Sequence, residues 1–485
     1  MYLLGIDLGT SSLKAILAEE SGHILAIESA KYPLYMERKG WVEQDPNDWW
    51  EAFLDVLTKI AKKFDITKVV GISFSGQMHG LVTLDKDDNI IRNAILWNDT
   101  RTGEEVQYLN NTIGKEKLIS ETGNIAYAGF TAPKILWMKN NEPELFAKID
   151  KIMLPKDYLV YRLTGEFVTD FSDASGMLLL DVKNKCWSEF MLNLCGINSE
   201  QIPSLHESFD NIGTVKNELA IELGLSSSCI VTPGAGDNAA AAVGTGTIDN
   251  FQCNISIGTS GTIFIASDSF IALEDSELHS FAHASGKFHL MGVILSAASA
   301  NDWWIKDILE TNSYDISGEI NLGENEVYFM PHLVGERSPH NDVNVRGAFL
   351  GLSKNTSRTD MSVAVLEGVA FALNDCLEIA RKKGLDVKVS GISGGGAKSK
   401  LWKQILANVL NVEIQEREIE EGPALGAVLL AGVGSGVFPD LKTAFGKFDK
   451  VTNTIKPQTD IVKKYRLSYN NYKKLYPLLK EFYER

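Results

Sequence analysis

Residues 5–12 read Gly5-Ile6-Asp7-Leu8-Gly9-Thr10-Ser11-Ser12, a carboxylate followed by a turn of small residues. Three apolar runs surround this turn: Tyr2 to Ile6, Leu13 to Ala18 and Ile24 to Ser29. Short apolar runs separated by such turns predict an antiparallel meander of strands. Small residues let backbone amides approach a phosphate, and a carboxylate beside a phosphate requires a divalent cation between them. The stretch therefore predicts a phosphate hairpin that carries Asp7, Thr10 and Ser11.

The same turn returns in the second half of the chain, as Ser256-Ile257-Gly258-Thr259-Ser260-Gly261, without the aspartate. One turn of this kind is a common hairpin, whereas two matched turns predict a pair of loops that hold a polyphosphate, the second through Gly258, Thr259 and Ser260. Two halves that open on the same strand, turn and strand indicate a duplication. We place the boundary between them after residue 245, which gives domains 1–245 and 246–485.

Strands and helices alternate in both halves after these hairpins. Asp45 is a good N-cap, and Pro46 favours the first position of a helix that follows it. The remaining elements are a strand over Val69 to Phe74, a strand over His289 to Ile294, a helix that includes Asp360 to Leu373, a strand over Val387 to Ile392, a helix over Ser399 to Leu410 and a last helix from near Pro423. This order predicts an α/β fold.

Charge and composition exclude several classes of function. The chain has 485 residues, with 47 basic and 63 acidic side chains and a net charge of −16. This charge disfavours binding to nucleic acid or to an anionic membrane surface, which requires basic patches. The first residues lack the basic start of a signal peptide, and the five cysteines form no redox or zinc motif. We expect a cytoplasmic protein without disulfides, a nucleic-acid partner or a membrane span.

A candidate catalytic group lies in Gly234-Ala235-Gly236-Asp237-Asn238, between an apolar strand and an alanine-rich helix. An aspartate at a helix start is often only a cap, which stabilises the helix by ~1 kcal/mol. The flanking glycines leave the face of Asp237 open, so that it could instead accept a proton from a substrate hydroxyl. Spacing alone does not decide between cap and base.

Two further turns offer binding groups. In Ser393-Gly394-Gly395-Gly396-Ala397, three glycines between a strand and a helix let a flat ring or a ribose lie against the backbone, or form a flexible joint. In Ser75-Gly76-Gln77-Met78-His79-Gly80, the polar side chains that follow a buried strand suit sugar hydroxyls, and Met78 offers an apolar wall. The chain contains neither a P-loop sequence nor a dinucleotide-binding glycine motif.

Together, the Asp-x-Gly-Thr hairpin, the second Gly-Thr-Ser hairpin and the late Gly-Gly-Gly-Ala turn resemble the superfamily of actin, hexokinase and chaperone ATPases. The Gly-Asp-Asn turn narrows the resemblance to the FGGY carbohydrate kinases. Two further stretches, 129–141 and 347–367, are similar to that family. Four others are similar to its members that phosphorylate xylulose: 77–80, 96–99, 154–158 and 335–341. The resemblance extends from residue 5 to the last predicted helix.

This resemblance implies two actin-like, ribonuclease H-like domains with βββαβα cores around a central catalytic cleft. It implies ATP and Mg²⁺, with Asp237 as the catalytic base and Asp7 near the metal and the γ-phosphate. Met78 and His79 would hold a small ketose together with Asp237 and Asn238. The second domain would bind phosphates through 258–260 and adenosine through 395–396.

Two alternatives remain open at this point. The first is another FGGY kinase that acts on ribulose, gluconate or glycerol, against which the Gln-Met-His-Gly loop speaks. The second is a nucleotide-gated binding protein like the chaperone ATPases, which would need a substrate-binding region beyond the second half. The oligomeric state also remains open, a homodimer included.

Overall fold

The computed structural model describes residues 1–418 and 421–483, and the chain divides into two units. Unit 1 consists of Met1–Ile248, Ser280–Phe288 and Glu421–Asp449. Unit 2 consists of Asp249–His279, His289–Glu420 and Lys450–Arg485. The chain passes between the units more than once, so these units are not consecutive halves. The sequence-based division into 1–245 and 246–485 stays a prediction.

The strands and helices are numbered in chain order. The strands are β1 Tyr2–Leu8, β2 Ser12–Glu19, β3 Ile24–Lys31, β4 Glu43–Gln44, β5 Val69–Gly76, β6 Val82–Leu84, β7 Ala94–Ile95, β8 Lys151–Met153, β9 Val168–Asp170, β10 Leu180–Asp181, β11 Cys186–Trp187, β12 Ser204–His206, β13 Ile230–Val231, β14 Ala235–Gly236, β15 Cys253–Ile257, β16 Gly261–Ser267, β17 His279–Ala282, β18 Phe288–Ile294, β19 Tyr328–Met330, β20 Ala348–Leu350, β21 Val389–Ser393, β22 Glu413–Arg417 and β23 Val451–Ile455. The α-helices are α1 Pro46–Ala61, α2 Gly103–Gln107, α3 Lys115–Thr122, α4 Thr131–Asn141, α5 Pro143–Phe146, α6 Pro155–Thr164, α7 Phe171–Ala174, α8 Glu189–Cys195, α9 Asn217–Leu223, α10 Asp237–Gly244, α11 Ala298–Asp302, α12 Arg358–Lys382, α13 Lys400–Leu410, α14 Gly422–Gly434, α15 Leu441–Phe448, α16 Thr459–Tyr472 and α17 Leu475–Tyr483. Short 3₁₀ or π segments cover Ile66–Lys68, Tyr108–Gly114, Ser175–Met177, Trp303–Ile308 and Gly395–Lys398.

The main sheet of unit 1 has the strand order β13-β5-β1-β2-β3, with β14 also beside β5. β1, β2 and β3 pair antiparallel, which confirms the predicted meander, whereas β5 runs parallel to β1. β13 and β14 also run parallel to β5. A parallel neighbour requires a crossover connection, and between β3 and β5 the chain forms α1.

Unit 2 repeats this arrangement in its own sheet, where β18, β16, β15, β21 and β22 follow one another. β15 pairs antiparallel with β16 and parallel with β21, as β1 does with β2 and β5. The predicted α/β fold with a repeated hairpin core is therefore confirmed. Within the residues described, no helix has both the length and the hydropathy needed to cross a bilayer.

Helix α1 shows how the sequence encodes the packing of unit 1. The side chain of Asp45 accepts a hydrogen bond from the backbone N–H of Asn47 at 2.9 Å, and Pro46 begins the helix, as predicted. Apolar side chains then recur with the helical period and are buried in the core of unit 1: Trp49, Phe53, Val56, Leu57 and Ile60. The N-cap residue determines where the helix begins, and the recurring apolar side chains determine which face is buried.

Helix α14 enters unit 1 from late in the chain and packs against it backbone to backbone. It is apolar on all sides and buried over most of its length, as expected of a helix enclosed by other elements. A Cβ atom at Gly426 would lie 1.9 Å from the carbonyl oxygen of Ala240 in α10. A Cβ atom at Gly5 in β1 would lie 2.3 Å from the carbonyl oxygen of Ala424. Glycine at these positions permits the close approach.

We expect Gly426→Ala to lower the free energy of unfolding by about 3 kcal/mol, because the added methyl group meets backbone atoms that cannot rotate away. The matched control is Gly446→Ala in α15, where a Cβ atom would have no neighbour within 4 Å. That exposed change should be neutral or stabilise by up to ~1 kcal/mol. Denaturant unfolding of the two purified variants measures the difference, and equal midpoints would contradict the backbone contact.

Candidate active site

Three neighbouring parallel strands of unit 1 end at the same edge of the sheet. Asp7 in β1 is paired with Ser75 in β5, and Gly76 in β5 is paired with Gly236 in β14. Asp7, the segment 77–79 and Asp237 therefore come together, although 230 residues of chain separate the first from the last. The carboxyl ends of parallel strands are the usual place for ligands in α/β folds.

Asp237 is the first residue of α10, and the N-cap position belongs to Gly236, which offers no side chain. Asp237 Oδ1 accepts hydrogen bonds from the backbone N–H of Asn238 at 2.7 Å and from the Asn238 side-chain amide at 2.9 Å. The interpretation of Asp237 as a simple N-cap is therefore wrong. Burial, reinforced by the negative charge of Asp7, raises the pKa of Asp237 to about 7. A carboxyl group with such a pKa suits proton transfer near neutral pH.

Asp7 accepts a hydrogen bond from the Ser75 hydroxyl at 3.0 Å. Burial raises its pKa to about 6, against the lowering effects of Ser75 and of the Lys14 ammonium. Lys14 is paired with Asp7 across the hairpin and forms an ion pair with Glu421, which precedes α14. The sequence interpretation missed Lys14, although the predicted antiparallel hairpin already implies that residues 7 and 14 lie opposite each other.

His79 has a positive φ of 70°, a left-handed conformation that is uncommon for residues other than glycine. Its carbonyl oxygen accepts hydrogen bonds from Thr131 Oγ1 at 3.0 Å and from the buried Lys134 Nζ at 2.8 Å. These bonds hold the turn in place. His79 Nδ1 lies 2.8 Å from the carbonyl oxygen of Gly176, which can only accept, so the proton is on Nδ1. In the neutral ring, Nε2 is then an acceptor for a hydroxyl group.

Met78 lies between the His79 turn and the Asp237 turn. The side-chain amide of Asn238 is 3.8 Å from Met78 Sδ, and a Cβ atom at Gly236 would lie 3.0 Å from the same sulfur. A Cβ atom at Gly176 would lie 2.2 Å from His79 Nδ1. Glycine at these two positions leaves room for both side chains. The structure therefore brings together all four residues predicted to hold the ketose.

The hairpin of unit 1 turns its carbonyl groups toward the protein. The oxygen of Gly9 accepts a hydrogen bond from the Tyr32 hydroxyl, and the oxygen of Thr10 accepts one from Gln44 Nε2 at 2.7 Å. In a trans peptide the C=O and the following N–H point in opposite directions. The N–H groups of Thr10 and Ser11 therefore point away from these partners, as an anion-binding turn requires.

In the hairpin of unit 2, the carbonyl groups likewise accept hydrogen bonds from the protein. The oxygen of Gly258 accepts a hydrogen bond from the N–H of Ala298 at 2.8 Å. The oxygen of Thr259 accepts one from the Ser299 hydroxyl at 2.7 Å. The amides of Thr259 and Ser260 consequently point the other way. Each unit thus carries one turn whose backbone can bind phosphate.

The glycine turn at 394–396 packs directly on the hairpin of unit 2. A Cβ atom at Gly394, where φ is 86°, would lie 2.6 Å from the carbonyl oxygen of Ile257. A Cβ atom at Gly396 would lie 2.2 Å from the Ile257 side chain, whereas one at Gly395 would meet nothing within 4 Å. The backbone at Gly395 is therefore open to a ligand beside the phosphate turn.

No group of three or more His, Cys, Asp or Glu side chains that could enclose a metal ion exists in 1–418 and 421–483. Mg²⁺ in nucleotide sites is usually bound by one or two carboxylates together with phosphate oxygens. Asp7, a hard oxygen donor beside the phosphate turn, fits that mode. The residues present are therefore compatible with Mg²⁺ that arrives with ATP.

Family models match both parts of the chain. The N-terminal domain of the FGGY family of carbohydrate kinases matches residues 2–244, and the C-terminal domain of the same family matches residues 253–435. The chain belongs to the FGGY family of carbohydrate kinases. As a member of this family it is an ATP-dependent sugar kinase, and the alternative of a nucleotide-gated binding protein is excluded.

Individual relatives of this FGGY kinase match over nearly the full length. The xylulose kinase of Bacillus subtilis (strain 168) is 38% identical over 487 aligned residues, which cover 99% of this chain and 97% of the relative. A crystal structure of a "xyloylose kinase" from Brucella ovis has a TM-score of 0.94 at 37% identity and covers 99% of this chain and 100% of that chain. The gluconate kinase of Lactobacillus acidophilus has the same TM-score of 0.94 at 28% identity, with 99% of each chain covered.

The pKa of Asp237 gives this FGGY kinase an expected pH dependence. If Asp237 is the base, it must be deprotonated, so kcat/KM for the sugar should fall about tenfold per pH unit on the acid side of its pKa and be level above pH ~7. A stopped assay of ADP formation between pH 5 and 9 avoids coupling enzymes whose own pH dependence would interfere. A profile that stays flat down to pH 5 would contradict the assignment of Asp237 as a base with a raised pKa.

Proposed function

We propose that this protein transfers the γ-phosphoryl group of ATP to D-xylulose and forms D-xylulose 5-phosphate and ADP. The observation that carries the proposal is the position of Asp237, a carboxyl group with a pKa of about 7 that accepts a hydrogen bond from the Asn238 side-chain amide, which also contacts Met78. The identity of 38% to a curated xylulose kinase supports the substrate.

In the proposed mechanism, Asp237 accepts the proton of the attacking hydroxyl group as the phosphoryl group arrives. The transition state of phosphoryl transfer spreads negative charge over the equatorial oxygens, so catalysis depends on position and on charge stabilisation. The backbone amides of 10–11 and 259–260 would bind phosphate oxygens. Asp7 would hold Mg²⁺, which neutralises charge on the phosphates when it is bound.

Sugar recognition rests on the pair of turns in unit 1. His79 Nε2 would accept a hydrogen bond from one sugar hydroxyl, because Nδ1 already donates to Gly176. The Asn238 side-chain amide would donate to a sugar oxygen, and Met78 would contact the carbon chain. In unit 2, Gly395 and Gly396 would lie against the adenosine, since the open backbone at Gly395 has no protein neighbour in the way.

The choice among sugars depends on sequence rather than on fold, because the xyloylose and gluconate kinases reach the same TM-score of 0.94. We expect D-xylulose to give the highest kcat/KM in a panel with D-ribulose, gluconate and glycerol, and activity to require a divalent cation. ADP formation at equal sugar concentrations measures the order. A clear preference for gluconate or glycerol would refute the proposed substrate and leave the family assignment unchanged.

We expect Asp237→Asn to lower kcat at least 10²-fold, because an amide cannot accept the proton and general-base catalysis contributes about 10²- to 10⁴-fold. The thermal midpoint should stay near that of the parent, since volume is preserved. The control is Asp87→Asn, which makes the same chemical change at an exposed turn. If turnover of the Asp237 variant stays within a few-fold of the parent, Asp237 is not the base.

A further inference from the structure

Behind the catalytic turn of unit 1, one lysine is completely buried among carboxylates. The ammonium of Lys156 lies 2.6 Å from Asp157, 2.9 Å from Asp170 and 3.6 Å from Asp173. None of these four side chains is more than 1% exposed. Burial alone would lower the pKa of Lys156, but the surrounding carboxylates raise it above its ordinary value, so the lysine keeps its charge.

Such a cluster is costly to bury, and a hydrophobic core of equal volume is often as stable or more so. Stability is therefore a weak explanation for its presence, and the contacts made by its members suggest another role. Asp157 turns its second oxygen to the N–H of Leu154 at 3.0 Å and fixes the start of α6. Asp170 instead faces the catalytic turn.

A chain of hydrogen bonds joins Asp170 to the residue before the proposed base. Asp170 Oδ2 accepts hydrogen bonds from the backbone N–H of Ser172 at 2.8 Å and from the Ser172 hydroxyl. The same hydroxyl oxygen accepts the N–H of Gly236 at 3.2 Å. Gly236 has no Cβ atom and leaves α10 without a side-chain cap. Ser172 therefore holds the peptide group that joins Ala235 to Gly236, one residue before Asp237.

Lys156 also contacts the neighbouring turn that carries the sugar-binding residues. A Cβ atom at Gly76 would lie 2.8 Å from Lys156 Cβ, so the lysine stem packs on the backbone just before Gln77-Met78-His79. Gly76 is itself paired with Gly236. The aliphatic part of the Lys156 side chain thus contacts the backbone where the sugar-binding turn begins. Its ammonium is linked to the catalytic turn through Asp170 and Ser172.

We propose that Lys156, Asp170 and Ser172 are positioning residues, which hold the Gly236 peptide and thereby the Asp237 carboxylate in the orientation needed to accept the hydroxyl proton. This inference rests on the proposed function, in which Asp237 is the base. The Lys156 ammonium forms an ion pair with Asp170, and Asp170 accepts a hydrogen bond from the Ser172 hydroxyl. The oxygen of that hydroxyl in turn accepts the N–H of Gly236. The sugar itself contacts none of the three.

Ser208 provides a matched control within the same cluster. Its hydroxyl donates to the same oxygen, Asp170 Oδ2, at 2.8 Å, and Ser208 is as buried as Ser172. Its hydroxyl makes no bond to Gly236, which is bonded by the Ser172 hydroxyl. Ser172→Ala and Ser208→Ala therefore remove equal donors from Asp170, but only the first releases the catalytic turn. Lys156 is not a useful target, because its loss leaves buried carboxylates without a counter-ion and strongly destabilises the fold.

We expect Ser172→Ala to lower kcat about 10- to 100-fold, the usual cost of a misplaced catalytic group, and to leave KM for ATP within about threefold. Ser208→Ala should keep kcat within about twofold of the parent, and Ser172→Ala should lose more thermal stability because it also leaves the buried N–H of Gly236 unpaired. Equal values of kcat for the two variants would overturn the proposal, since a purely structural role affects both alike.

A double-mutant cycle tests whether Ser172 acts through Asp237. In the Asp237→Asn background, Ser172→Ala should cause no further loss of kcat, because the group it positions is already disabled. A full additional loss in that background would overturn the proposed route. If Asp237→Asn alone keeps the activity of the parent, the base assignment fails and this inference fails with it. If that variant is inactive while the two serine variants match, only the positioning role is refuted.

Discussion

The active-site geometry depends on the close contact that α14 makes with β1 and α10. Glycines at positions 5 and 426 let the backbones approach to distances at which a Cβ atom would lie 2.3 Å and 1.9 Å from a carbonyl oxygen. Contacts between backbones cannot adjust by rotamer changes, so they fix positions more rigidly than contacts between side chains. β1 carries Asp7, and α10 begins with Asp237. Because α14 contacts both elements, it fixes the distance between them.

The electrostatics of the site follow from that geometry. Asp7 and Asp237 are both half-buried, and burial is the main reason that their pKa values rise to about 6 and about 7. Repulsion by the negative charge of Asp7 raises the pKa of Asp237 further. A divalent cation at Asp7 would reverse that repulsion, because a positive charge nearby favours the ionised carboxylate. In the proposed mechanism, the arrival of the metal nucleotide would therefore favour the ionised form of Asp237.

The sequence predicted those features that are local. Both hairpins, the N-cap of α1 and the turns at 77–79 and 236–238 follow from short stretches whose turn chemistry is specific. It missed groups whose role depends on distant partners: Lys134 reaches the carbonyl of His79 across 55 residues, and Ser172 reaches Gly236 across 64. The sequence left cap and base open for Asp237, because the one residue of register that places Gly236 at the N-cap lies below what a sequence pattern resolves.

The most direct measurement is a crystal structure of the protein with D-xylulose bound. If Asp237 is the base, one sugar hydroxyl will lie about 2.6–3.2 Å from its carboxylate, with His79 Nε2 in hydrogen-bonding contact with another hydroxyl. A sugar bound with every hydroxyl more than about 4 Å from Asp237, beyond hydrogen-bonding reach, would contradict the central claim that this carboxylate activates the acceptor.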